Sequence, residues 1–456
     1  MRSTVEPSTP SGQSSTPSSR ESAVASAGTH PQRRHRGGRG HLTRAGLGIL
    51  PPGRHRGGQG HLIDHGAGFW VTAYAFLVAM AFTTVPTPLY PIYQQRDGFS
   101  MATITVIFAS YAVGVMVSLY VAGHASDWLG RRRILVPALL LAAASAAVFL
   151  VWQSLTGLLV GRVLSGLAVG VTTSTATAHL AELHARARPG APRRRAEVVA
   201  GVANLGGLGL GTLISGLLAE YAPSPLRLPY LLFAVLLVIG AVGMSLVAET
   251  VDPPEEAPRY RVQKISVPRE ARAVFGGACL LGLFAFAVLG LFTSLAPSFL
   301  VQQIGTDSHV VAGLTVFALF GAAAGGQVAV GSLGTRRTVA VSTVLLPLGM
   351  AVSSLGVALA DLGMFTVGGV IVGIGTGLAF KSALSTVAGL VDAGSRGEVL
   401  AGLFLSSYVG LAVPAIGLGV LTQHMSATGA FLLFAGVLSV GAVASGAVMR
   451  LRIPTP

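Results

Sequence analysis

The sequence of 456 residues holds one cysteine, Cys279, and two lysines, Lys264 and Lys381. One thiol excludes an intramolecular disulfide and any cysteine-rich metal centre. Charged residues make up 11% of the chain, against about a quarter in soluble domains. No glycine-rich phosphate loop ending in Lys-Ser or Lys-Thr occurs, which argues against ATP as an energy source. A paired-histidine metal motif and a Gly-x-Ser-x-Gly elbow are also missing, so no catalytic residue, metal or cofactor is expected. Within the long apolar runs drawn below, no Asp or Glu falls near the middle.

What the chain has is apolar length: 52% of its residues are hydrophobic. From Phe69 onward there are twelve runs, each long enough to span a bilayer as a helix. They are 69–89, 102–123, 134–153, 157–180, 197–219, 228–248, 272–296, 309–332, 338–360, 364–388, 398–421 and 427–449. Helices are the expected spanning element, because lipid offers backbone amides no hydrogen bonds. The fold class expected is therefore an all-α membrane protein with twelve transmembrane helices.

Net charge is +14, and the basic residues alternate in position. Arg131, Arg132 and Arg133 share one loop; Arg186, Arg188, Arg193, Arg194 and Arg195 lie two loops on. Arg259, Arg261, Lys264, Arg269 and Arg272 lie in or beside the central loop, and Arg450 and Arg452 close the chain. The intervening loops hold little beyond Arg96 and Arg227. By the positive-inside rule, both termini and the central loop face the cytoplasm, in a multi-pass protein of the cell membrane. The charge is thus expected to meet lipid headgroups and not nucleic acid.

Residues 1–66 form a basic N-terminal tail, rich in Ser, Thr and Pro and expected to be disordered. In it, Arg34–Leu42 (RHRGGRGHL) recurs as Arg54–Leu62 (RHRGGQGHL). The organisation expected after it is a six-helix bundle over 67–248, a cytoplasmic loop over 249–271 with Pro253, Pro254 and Pro258, a second six-helix bundle over 272–450, and a tail over 451–456. The halves resemble each other. Gly130, Arg132 and Arg133 recur as Gly334, Arg336 and Arg337; Gly166 and Gly170 recur as Gly373 and Gly377.

The chain is organised around Gly123–Arg133, GHASDWLGRRR. Gly123, Asp127, Gly130, Arg131 and Arg132 resemble the loop signature between helices 2 and 3 of the major facilitator superfamily, with Trp128 where a basic residue is usual. RVLSGLAVG from Arg162, with Gly166 and Gly170, resembles that family's pattern in helix 4. NLGGLGLGTLISG from Asn204, with Gly207 and Gly211, is similar to the glycine-rich helix 5 of its drug/proton antiporters, without the proline. The small residues would equally serve helix packing.

The resemblance implies two pseudo-symmetric bundles with a substrate site between them. It implies that Asp127 sits against the start of helix 11, where Ser395 and Glu398 fit a capping box, and that Arg131 or a neighbour meets Glu182; the alternative is that Asp127 merely ends helix 2 and balances the nearby arginines. These residues would form a conformational gate. It further implies proton coupling at Arg162. An arginine inside a span costs about 3 kcal/mol at the helix centre, so it either faces a cavity or partner or snorkels outward. His179, Lys381, Asn204 and Tyr74 are the remaining polar candidates for coupling or for the cavity, Lys381 with the alternative of snorkelling inward. Pro86, Pro88 and Pro91 break the first span; Thr83, Thr84 and Thr87 can satisfy the freed carbonyls, and the stretch reads either as a helix end with Tyr90 and Tyr93 in an aromatic belt at the outer interface or as a broken helix facing the substrate path. The function expected is proton-coupled efflux of small amphipathic molecules by a monomer in contact with lipid. The alternatives are an importer of sugars or other metabolites, and a non-transporting sensor.

Overall fold

The computed structural model describes residues 63–122, 125–251, 267–329, 333–391 and 396–452, all within a compact unit running from Gly58 to Pro456. The N-terminal tail to residue 62, Gly123, most of the central loop and Ser395 lie outside the described residues.

Among the described residues, twelve helices are long and apolar enough to cross a membrane. They are α1 His65–Asp97, α2 Met101–Ala122, α3 Arg131–Val151, α4 Leu155–Ala187, α5 Arg194–Tyr221 and α6 Leu228–Leu246, then α7 Arg269–Ser294, α8 His309–Ala329, α9 Thr335–Ala358, α10 Leu362–Ala388, α11 Gly397–Leu421 and α12 Ala427–Leu451. No sheet forms among them; one isolated bridge pairs Ile63 with Val247. Two helices outrun the lengths expected from hydropathy by the most. The α4 helix continues to Ala187, because its last two turns are polar but still helical. The α1 helix continues to Asp97 through a break at Val85–Pro86.

The break is repaired differently from expectation. Thr83 and Thr84 donate back to the Met80 and Ala81 carbonyls of their own helix, at 2.7 and 3.1 Å. The freed carbonyls are taken from outside: Ser215 of α5 donates to the Val85 oxygen at 2.7 Å, and Arg162 to that of Thr83 at 2.6 Å. Tyr90 and Tyr93 do not join an interfacial belt. Both are buried, Tyr90 against Arg162 and Tyr93 with its hydroxyl 3.2 Å from that of Tyr230. Continuing the helix beyond the break carries them back into the protein.

Packing repeats between the halves. As α2 packs on α4, so α8 packs on α10; α3 on α4 and α6 matches α9 on α10 and α12. The central helix of each half follows suit, α1 against α4, α5 and α6, α7 against α10, α11 and α12. The halves meet chiefly through α2 with α11 and α5 with α8. The helices α3, α6, α9 and α12 take no main part in that interface and expose apolar side chains such as Leu140, Val242, Val344 and Val440. Such residues are stable facing lipid, where helices satisfy their own backbone.

The recurring glycines sit at equivalent crossings. A Cβ on Gly166 would overlap the Tyr111 carbonyl of α2, and one on Gly170 would overlap Ser118. A Cβ on Gly373 would overlap the Leu319 carbonyl of α8, and one on Gly377 that of Ala323. Gly207 and Gly211 press on the Leu77 and Ala81 carbonyls of α1. Glycine lets these backbones approach within van der Waals range where any side chain would hold them apart.

Candidate functional site

Two clusters hold most of the polar groups expected from the sequence. The first lies at the arginine-rich ends of α3, α4 and α6. Gly130 has φ +106°, and a Cβ there would meet the Glu249 carboxylate at 2.5 Å. That turn aims the first amides of α3 at Glu249, which accepts from the Arg131 and Arg132 N–H groups at 2.8 and 3.0 Å. It also accepts from Thr250 and Val251 at 2.9 and 3.2 Å. A carboxylate at a helix N-terminus satisfies orphan donors and complements the helix dipole.

The Arg131 side chain is buried and links three groups. It donates to Ser126 at 2.7 Å, to Asp127 at 2.5 Å and to Glu182 at 2.9 Å. Glu182 accepts in addition from the Thr250 hydroxyl, which lies 3.1 Å from the Nδ1 of buried His179. The Arg132 guanidinium bonds the Val247 carbonyl at 3.2 Å. Arg131 and Glu182 therefore meet as the resemblance implied. Asp127 turns to Arg131 and keeps 63% of its side chain exposed; Gly123 and Ser395, the other expected members of that gate, lie outside the described residues.

Glu249 and Thr250 were not among the expected site residues, having been assigned to the linker. Their partners lie 118 and 68 residues away. The only local signal was an acidic residue directly after an apolar run.

The second cluster surrounds Arg162, which is 1% exposed and points into the protein. Its guanidinium donates to the Thr83 carbonyl at 2.6 Å and to the Tyr90 hydroxyl, and lies 5.6 Å from the Tyr90 ring. The rings of Phe108 and Tyr111 are each 5.9 Å away. Its Nε has no hydrogen-bond partner, and no carboxylate pairs with it among the described residues. The Thr83 oxygen belongs to the last turn of the first α1 segment, where carbonyls lack intrahelical donors and the helix dipole is negative.

The other candidates disperse. Lys381 is half-buried and donates to the Gln327 carbonyl of α8. Asn204, half-buried, lies in a wide helical turn, Val202–Gly206, and makes no side-chain hydrogen bond among the described residues. Tyr74 does not face the other half. Its hydroxyl donates to the Leu236 carbonyl of α6 at 3.3 Å, within the first bundle.

Three hydrogen bonds between the halves lie toward the arginine-poor side. Ser298 at the end of α7 bonds Gln94 at the end of α1 at 2.6 Å. The His309 amide of α8 donates to Glu220 of α5 at 2.7 Å, and Thr212 to the Gly313 carbonyl at 3.0 Å. Gly419 of α11 lies against Ala102 and Thr105 of α2 at that same side.

Known proteins share this arrangement. A nucleoside transporter superposes with a TM-score of 0.66 at 13% identity, covering 84% of this chain and 99% of its own. A POT family transporter in complex with 5-aminolevulinic acid gives 0.66 at 12% identity, covering 83% and 94%. In sequence, an uncharacterized MFS-type transporter of Methanocaldococcus jannaschii is 24% identical over 200 residues, 43% of this chain and 49% of that one. The arabinose-proton symporter of Bacillus subtilis is 34% identical over 89 residues, 19% of each. The chain thus matches about half the length of the first curated relative and about a fifth of the second. The family model described as Major Facilitator Superfamily matches residues 72–360, which is most of the chain, and the chain belongs to that superfamily.

Proposed function

We propose that this protein is a secondary active transporter that exports small amphipathic molecules by alternating access in exchange for protons, with both termini in the cytoplasm. The observation that carries the proposal is the interface between the halves. They touch through paired helices, α2 with α11 and α5 with α8, and three hydrogen bonds join them at the arginine-poor side. Such an interface can rock about a central site. Asp127 is the state-sensitive member: its carboxylate, paired with Arg131 and largely exposed here, would turn to the start of α11 when the arginine-rich side closes. Arg162, held without an acid, is the coupling candidate in the first half.

The short match to a proton symporter favours a second direction, import with protons. Purified protein in liposomes separates the two. Proton-coupled export predicts that substrate and proton flux run in opposite directions and that collapsing the gradient stops accumulation. Flux of both in one direction would establish the importer. No flux under any gradient would sink the transporter assignment. The orientation is tested with single thiols near Arg186 and Lys264, which must label from the same side.

A further inference from the structure

A run of aromatic rings crosses from the first half to the second. It starts at Arg162, whose guanidinium lies 5.9 Å from the Tyr111 ring of α2. Tyr111 meets Tyr408 of α11 edge-on at 6.4 Å. Tyr408 meets Phe286 of α7 at 5.5 Å, Phe286 meets Phe380 of α10 at 4.9 Å, and Phe380 meets Phe404 of α11 at 5.6 Å. In a well-packed core, rings of this size would be fully covered. Phe286, Phe380, Phe404 and Tyr408 are only half-buried. They come from α7, α10 and α11, and Tyr408 also touches α2 of the other half, so they lie beside the interface that the halves share.

Two cations adjoin this run, Arg162 through Tyr111 and Lys381 as the chain neighbour of Phe380. Lys381 follows Phe380 directly and lies about two turns inside the arginine-rich end of α10. Its ammonium carries three donors, and the one acceptor found for it is the neutral Gln327 carbonyl. Arg162, at the other end, is held by a carbonyl, a hydroxyl and ring faces, with its Nε unpartnered. Neither cation has an acidic partner among the described residues. Acids of the described chain instead cluster at helix ends, as Asp127, Glu182 and Glu249 do. A cation in a low-dielectric interior without a counter-charge is costly, and an anionic ligand would offset that cost.

We infer that the transported molecule is an organic anion, a planar apolar body seated on Phe286, Phe380, Phe404 and Tyr408 with its acidic group drawn to Lys381. This rests on the proposed transport function and deepens it by naming the class of substrate. The rings supply stacking area without selecting a single molecule. Lys381 supplies the sign: a cationic amphipath of the same shape would meet like charge from Lys381 and, through Tyr111, from Arg162.

The test uses the full chain in detergent with three probes of one shape: 1-naphthoate, the neutral 1-naphthamide and the cationic 1-naphthylmethylamine. Saturable binding is expected for naphthoate, at least about tenfold tighter than for the amine, as for one charge-assisted hydrogen bond. Lys381→Gln should remove that preference, Lys381→Arg should keep it, and Phe380→Ala should weaken naphthoate and naphthamide together. A preference for the amine, equal binding of all three, binding of none, or full preference in well-folded Lys381→Gln would each overturn the inference. Gradient-driven flux is read separately in liposomes. Flux without anion preference leaves transport standing and removes the anion, whereas anion binding without flux in any gradient does the reverse.

Discussion

Two buried or capping charges do different work at the level of single residues. Glu249 acts through charge and geometry together, since it meets two amides of α3 at its first turn. Glu249→Ala leaves those amides open, and a lost cap of this kind costs about 1–2 kcal/mol. The purified variant should melt earlier in detergent with its topology intact; an unchanged melting temperature would mean that water replaces the cap fully. Arg162 acts as a planar fork between the Thr83 carbonyl and the Tyr90 hydroxyl. Lysine cannot reproduce that fork. Arg162→Lys is therefore expected to reach the membrane and lose gradient-driven flux, and parental flux in that variant would make the pairing dispensable. Arg162 was legible in the sequence because a guanidinium inside an apolar run needs a reason. Its partners were not, since a carbonyl freed by a break in α1 leaves no mark in residue identity. Glu249 was invisible for a related reason: its role exists only once α3 and α6 are side by side.

Helices fared better, because lipid leaves few alternatives to a long apolar run. All twelve spans could be read, and the misplaced ends fell where polar turns continue a helix, as in α4 to Ala187. The proline-broken α1 misled most. Its break was anticipated, but not the continuation that buries Tyr90 and Tyr93. Glycine spacing carried real information about crossings, in α4 on α2 and again in α10 on α8. Those crossings make a clean contrast. Gly166→Ala drives a methyl into the Tyr111 carbonyl, and overpacking of this kind costs about 1–3 kcal/mol. Gly321→Ala, in α8 with nothing within 4 Å of the new Cβ, should be neutral or gain up to about 1 kcal/mol from helix propensity. Thermal unfolding of the two variants side by side checks this; equal melting temperatures would mean that α2 and α4 separate at little cost.

At the scale of the whole molecule, hydrogen bonds join the halves at the arginine-poor side. Gln94 and Ser298 mark that closure where α1 and α7 end. With Cys279 replaced by serine, a Gln94→Cys/Ser298→Cys pair should be joined by a short bifunctional thiol reagent, and the joined protein should lose flux that returns when a cleavable linker is cut. Undiminished flux after complete joining would show that this side need not open. The repeat of helix packing between halves was legible in part, through the recurring Gly-x-Arg-Arg and the paired glycines. Which helices meet across the middle was not, because that interface rests on backbone approach and carries no residue pattern of its own.

Glu249 also imposes an order on synthesis. The amides it caps begin α3, yet the ribosome supplies the carboxylate only after α4, α5 and α6 have been made. Until then the amides that follow Gly130 have no cap, and three arginines stand at an unfinished helix start. When Glu249 emerges, the first half can lock shut just as the linker begins. A nascent chain halted with Glu249 still inside the ribosome should remain open to protease at the α3 entrance, and one halted far enough on for Val251 to have emerged should not.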